Sequence, residues 1–208
     1  MSTKSLISNR LFNYLLKFQP FTHYQSDSRR WEREYGQGKW EYLRDANQLP
    51  HYSVIVGYAR YYAPGGALLD IGCGEGLLQE QLRTTGYSEY RGIDFSANAI
   101  RTARPREDDR TTFRQANAAS YQPDRKFDAI ILNESLYYFR EPLSSLAKYD
   151  QWLTSEGVYI ISMWQSLGTC WLWRKLRKRY RILHSVKLSR PAGVSHRVKV
   201  LRPRDLPR

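Results

Sequence analysis

The sequence predicts an α/β fold on a mostly parallel sheet, and three observations carry that prediction. From Ala67 onward, short apolar runs bounded by turn residues alternate with helical patterns. One run, FDAIILNES (127–135), has five apolar residues in its first six, as in a strand buried on both faces at the sheet centre. Three glycines cluster where the first strand meets the first helix after it. Strand, helix and strand in succession imply right-handed crossovers.

Residues 1–62 read as a helical, aromatic-rich cap, and residues 63–208 as the core of a single domain spanning 1–208. WEREYGQGKWEYL (31–43) and HYSVIVGYARYY (51–62) are expected to be helical. Their Trp and Tyr stripes suit packing surface or a cover over a ligand mouth. ALLDI (67–71) is the first strand; a helix with Leu77, Leu78 and Leu82 on one face follows and ends at Gly86. EYRGID (89–94) is the second strand, and the next helix is capped by Ser96 and stopped by Pro105. TTFRQAN (111–117) is the third strand and 127–135 the fourth, before a helix over 141–154 and a fifth strand over 156–164. RILHSVKLSRP and SHRVKVLRP alternate apolar and polar residues around Pro191, Ala192 and Gly193, the pattern of an antiparallel hairpin at a sheet edge.

Composition sets outer bounds. With 41% hydrophobic and 25% charged residues, and no apolar run near the ~18–20 residues that span a bilayer, the chain is expected to be a globular protein without a transmembrane helix. The opening residues show no cleavage-site pattern, so no secretory signal is expected, and the expected location is cytoplasmic. Cys73 and Cys170 lack CxxC spacing; both are expected to be free thiols, and no metal site is expected. The net charge of +13 is concentrated at the C-terminus, where Gly168 to Arg208 holds 13 Lys and Arg against Asp205 alone. This basic block, 171–208, suits nucleic acid or an anionic membrane surface, or is a solvated face; a small-molecule partner is preferred. Within it, WLWRKLRKRYR (171–181) reads as a basic aromatic platform, with Trp171 and Trp173 placed for an interface. Oligomeric state is left open.

The chemistry concentrates in LLDIGCGEG (68–76). Ligands of open parallel sheets bind beyond the carboxyl ends of the strands, and Gly72, Gly74 and Gly76 fall on that rim. Glycines there permit positive φ and let a ligand touch main chain. The spacing is not G-x-G-x-x-G, and Asp70 and Glu75 place negative charge where a pyrophosphate would sit, which argues against a nicotinamide dinucleotide. No Lys-Ser or Lys-Thr follows the glycines, so a P-loop is excluded. Asp94, 18 residues after Gly76, stands where a carboxylate can accept both hydroxyls of a ribose.

With LLDIGCGEG, YRGIDFS, FRQANAASY and FDAIILNESLYYF in this order, the sequence resembles the class I S-adenosylmethionine-dependent methyltransferases of the small-molecule tailoring type, over about Leu68 to Met163. The resemblance implies a three-layer Rossmann-like sandwich with seven strands in the order 3-2-1-4-5-7-6. It implies S-adenosyl-L-methionine as cofactor, with Gly72, Cys73, Gly74 and Gly76 lining its amino-acid portion and Asp70 near the ammonium or holding the loop. Asp94 would hold the ribose, Phe95 would stack near the adenine, and Asn133 would lie at the cofactor rim. Asn117 stands where the family often has an acid; it and Ala118 would meet the adenine edge, or Asn117 is a turn residue. Transfer would run to an O or N atom of a small molecule. Glu134 and His51 are the candidate bases, each with a structural alternative as a capping carboxylate or a packed histidine. Tyr137 and Tyr138 are candidate acceptor contacts. The chain has NESLYY after the fourth strand and lacks the Asn-Pro-Pro-Tyr signature of amino methylation. An RNA- or membrane-directed methyltransferase and a non-catalytic cofactor-binding module are the alternatives.

Overall fold

The computed structural model describes residues 28–189 and 195–204. Helix α1 (Ser28–Gly36) and α2 (Leu49–Tyr62) precede β1 (Ala67–Ile71). Then come α3 (Leu77–Leu82), β2 (Glu89–Asp94), α4 (Ala97–Ala103), β3 (Thr111–Gln115), β4 (Phe127–Asn133), α5 (Pro142–Tyr149), β5 (Leu153–Trp164), α6 (Leu167–Arg179), β6 (Tyr180–Leu188) and β7 (His196–Pro203). The sheet order is β3-β2-β1-β4-β5-β7-β6, parallel except for β7, which runs antiparallel to both β5 and β6. This is the expected architecture, with β4 central and the hairpin at one edge; the turn residues Pro191, Ala192 and Gly193 lie outside the described residues, as does the opening segment.

Side chains alternate across the strands and feed two apolar layers. Leu69, Ile71, Ile130 and Ile161 meet Leu146 and Tyr149 of α5 and Leu172 and Leu176 of α6. On the other face, Leu68, Ala129, Ile131 and Ile160 meet Ile55 and Ala59 of α2, Leu78 and Leu82 of α3, and Ile100 of α4. At the edge where β1 and β4 begin, Asp128 accepts from the Ala67 amide at 2.9 Å and the Thr154 hydroxyl at 3.0 Å, tying three strands together. Gly66 leaves room for that carboxylate, since a Cβ there would lie 2.6 Å from its oxygen.

Several boundaries differ from the sequence expectation, each for a local reason. The helix over 31–43 stops at Gly36, because Gly38 takes φ 67°, and resumes as a single 3-10 turn at Glu41–Arg44. The helix over 141–154 ends at Tyr149, and β5 begins at Leu153; an irregularity in the β4–β5 register between Phe127 and Ala129 accommodates the extra residues. β3 ends at Gln115, short of Asn117, and β4 ends at Asn133 because Glu134 turns the chain with φ 55°. In the basic stretch, Trp173 is buried beneath Lys199, so the expected interfacial pair reduces to Trp171. Both cysteines are free thiols.

Candidate functional site

Gly72, Gly74 and Gly76 all adopt positive φ, so the sequence requires glycine at each for the backbone alone. Protein neighbours add a second reason that the ligand-approach reading did not contain. A Cβ on Gly72 would lie 2.6 Å from that of Ser135, whose hydroxyl donates to the Ile71 carbonyl at 2.6 Å. At Gly76 a Cβ would press into Phe113 at 2.9 Å. At Gly74 it would meet the Tyr35 hydroxyl, also at 2.9 Å. The loop is therefore pinned from beneath by the turn after β4 and by β3, and covered from above by α1.

Asp94 closes the loop from β2: its carboxylate accepts from the Gly74 amide at 3.0 Å and the Ser96 amide at 2.9 Å. Burial pushes it up to about 6, against the lowering effect of those backbone donors. Burial likewise pushes Asp70 up to about 7, although one of its oxygens accepts from the Tyr90 hydroxyl at 2.7 Å. Cys73 is buried beneath the loop, beside Gly92. Glu75 pairs with Arg44 at 2.5 Å, so its negative charge, expected to repel a pyrophosphate, is neutralised there, and Asp70 alone is left to disfavour one.

Aromatic rings from α1 stand over this half of the rim. Trp31 stacks on Trp40 with centroids 5.0 Å apart and meets Phe95 at 6.1 Å and Tyr138 at 4.7 Å edge-on. Glu32 accepts from the Ala97 and Asn98 amides at the start of α4, anchoring α1 to the core. Over β4 and β5 the surroundings differ. The Glu134 carboxylate accepts from the Ser162 hydroxyl at 2.5 Å, the Trp164 amide at 2.8 Å and the Tyr137 hydroxyl at 3.1 Å. Tyr137 is buried and packs on Tyr138 and Trp164. His51 is also buried, stacked on His196 at 4.8 Å. Asn117 lies in an exposed turn, where its side-chain oxygen accepts from the Ala119 amide; the Ala118 carbonyl accepts from Tyr149.

A family model described as a methyltransferase domain matches residues 69–161, from β1 through β5. The ubiquinone biosynthesis O-methyltransferase of Aromatoleum aromaticum is 30% identical over 149 residues, 69% of this chain and 61% of that protein. The chain carries a methyltransferase domain of the class I adenosylmethionine-dependent type over residues 69–161. It spans less than two thirds of that relative. Solved structures agree on the fold of this methyltransferase domain. The N-methyltransferase NodS of Bradyrhizobium japonicum, in complex with S-adenosylhomocysteine, superposes with a TM-score of 0.73 at 17% identity, over 86% of this chain and 100% of that one. A Burkholderia thailandensis 1,6-didemethyltoxoflavin-N1-methyltransferase gives 0.71 at 20% identity, over 86% and 87%.

The residues of this methyltransferase domain fit adenosylmethionine. Asp70 Oδ1 and Asn133 Oδ1 are buried acceptors with no hydrogen-bond partner among the described residues. They sit at the ends of adjacent strands and on the same sheet face. Two bare acceptors beside a glycine loop suit a ligand that brings N–H donors. Sequence reasoning missed four contributors to this region. Arg44 carries no motif, Ser135 sits in the fourth-strand motif with no contact to the glycine loop readable from it, and Tyr35 lies in a stripe that reads as packing. Tyr52 of α2 is buried close enough to Asp70 and Glu134 for both carboxylates to raise its hydroxyl further above its ordinary range, after burial itself. Its one sequence signal is adjacency to His51.

Proposed function

We propose that the protein transfers a methyl group from S-adenosylmethionine to an oxygen or nitrogen of a small aromatic molecule. The observation that carries this reading is the pairing of Asp94 with the two bare acceptors, Asp70 and Asn133, around one glycine loop. A carboxylate has about four acceptor positions, so Asp94 retains capacity for the ribose hydroxyls while it holds Gly74 and Ser96. Asp70 and Asn133 would receive the ammonium, and Arg44 and the Tyr35 hydroxyl are the donors for the carboxylate. Phe95 and Trp31 would flank the base, with Asn117 and Ala118 at its edge. The cofactor supplies a sulfonium-activated methyl group.

The protein's task is then alignment, which is worth on the order of 7–11 kcal/mol when reacting atoms are held in line. Tyr137, Tyr138, Trp164 and Trp31 form an aromatic wall over β4 and β5, suited to a flat acceptor. The two matched proteins named for small-molecule methylation, one in ubiquinone biosynthesis and one on a toxoflavin precursor, support that class. Glu134, engaged by three donors, acts in this reading as a positioning residue that fixes Tyr137, and His51 is a packed histidine stacked on His196.

Calorimetric titration with adenosylmethionine and adenosylhomocysteine tests the first half: micromolar binding of both is expected, and binding of neither overturns it. Incubation with methyl-labelled cofactor and a panel of phenols, aromatic amines and bulk RNA tests the second. Label is expected on a phenol or amine; label on RNA alone overturns the small-molecule reading.

A further inference from the structure

The outward face of α6 has a composition that the methyltransferase fold does not require. Leu167, Trp171, Arg174 and Lys178 lie at positions i, i+4, i+7 and i+11, one line about 16 Å long on the helix. All four are exposed, Leu167 at 74% and Trp171 at 56%, while Thr169, Leu172, Trp173 and Leu176 face the core. The line is graded: apolar at the first turn, cationic at the last. Lys175 flanks it, and Lys148 adds a further cation across an open groove between α5 and α6. Among the described residues, none of Lys148, Arg174, Lys175 and Lys178 has a carboxylate partner, whereas Arg179 is held by Asp150 at 3.2 Å. The apolar end begins three residues after β5 ends at Trp164, beside the acceptor half of the rim.

We infer that this face of α6 docks the protein on an anionic lipid surface, with Leu167 and Trp171 entering the headgroup boundary and the cations resting on phosphates. Apolar anchors beside unpaired cations are what such a surface selects. Single-stranded RNA would demand aromatic faces open for stacking. The face of Trp171 carries the Lys175 ammonium 3.5 Å from its centre, and Trp173 is buried. Docking this way holds the acceptor rim at the edge of the membrane, within reach of a lipid-soluble molecule.

Co-sedimentation with phosphatidylcholine vesicles, with and without phosphatidylglycerol, tests the inference. The full chain is expected to bind the anionic vesicles at least tenfold more tightly than the neutral ones. Replacing Arg174, Lys175 and Lys178 by Gln should cut binding by roughly fivefold per cation. L167A/W171A should cut it at least tenfold and leave a residual binding that salt abolishes. Melting curves of each variant, matched to the parent, confirm folding. Equal affinity for the two vesicle types overturns the inference, as does no binding. So does vesicle binding unaffected by L167A/W171A and displaced by RNA, which would assign the cations to nucleic acid.

Discussion

From β1 and β2 as far as Asn133 at the end of β4, the rim keeps two buried acceptors bare and a loop in left-handed geometry; past that residue, toward β5, the Glu134 carboxylate is already engaged by Ser162, Trp164 and Tyr137. One half is incomplete without a ligand, and the other is satisfied by its own side chains. A cofactor common to a whole family can be met by fixed main chain and buried charge. An acceptor is met by replaceable rings. Polar atoms held bare in the fold stabilise the complex at the expense of the free protein.

The contrast breaks most visibly at Gly72. Gly72→Ala combines a forbidden backbone angle with a Cβ 2.6 Å from Ser135, together about 2–5 kcal/mol of strain. Cofactor binding should vanish in calorimetry, and the melting temperature should fall sharply. Next is Asp94→Ala, which strands two buried amides as well as the ribose. Binding should weaken by about 1–3 kcal/mol, with a comparable loss of stability in denaturant titration. A variant that loses affinity with unaltered stability would separate the two roles.

Titration sharpens the comparison further. Asp70 and Asp94 sit near 7 and 6 in the fold against 3.8 when unburied, so the folded chain binds these protons more tightly than the unfolded one. Their contribution to ligand-free stability therefore falls as pH rises from about 4 to 7. Cofactor donors favour the anions, so affinity for adenosylhomocysteine should rise at least about tenfold between pH 5 and 8. Asp70→Asn should confine that rise to the step near 6, weaken binding, and raise the melting temperature of the free protein at pH 8. A flat profile in the parent protein would remove the argument. The smallest effect is expected at Glu134→Gln: cofactor affinity within about twofold of the parent, since the change lies outside the bare half. A tenfold loss would show the two halves to be one unit.

The same division explains what was legible in the sequence. The strands, the hairpin and the cofactor-strand ends follow from patterns local to one segment, namely apolar runs, glycines and a carboxylate at each strand end, whereas the strand order follows from the family resemblance. Even so, the local pattern shows the glycines as positions of positive φ and room for a ligand, while Ser135, Phe113 and Tyr35, distant in sequence, also press on them. Glu134 illustrates the reverse, since its residue type suits a base but three donors from two strands decide its surroundings. The pairing of Glu75 with Arg44 needed α1 to end early at Gly36, a break hidden in a run otherwise rich in helix formers.

The Asp128 clamp gives the sheet two ends of unequal firmness. It fastens β1 and β5 to β4 through Ala67 and Thr154 at the floor, far from the glycine loop. Breathing motions should then pivot about that floor. Deuterium uptake at the Ala67 amide should be slow and insensitive to cofactor, whereas the Gly74 amide, bonded to a carboxylate that titrates near 6, should exchange quickly until a ligand arrives.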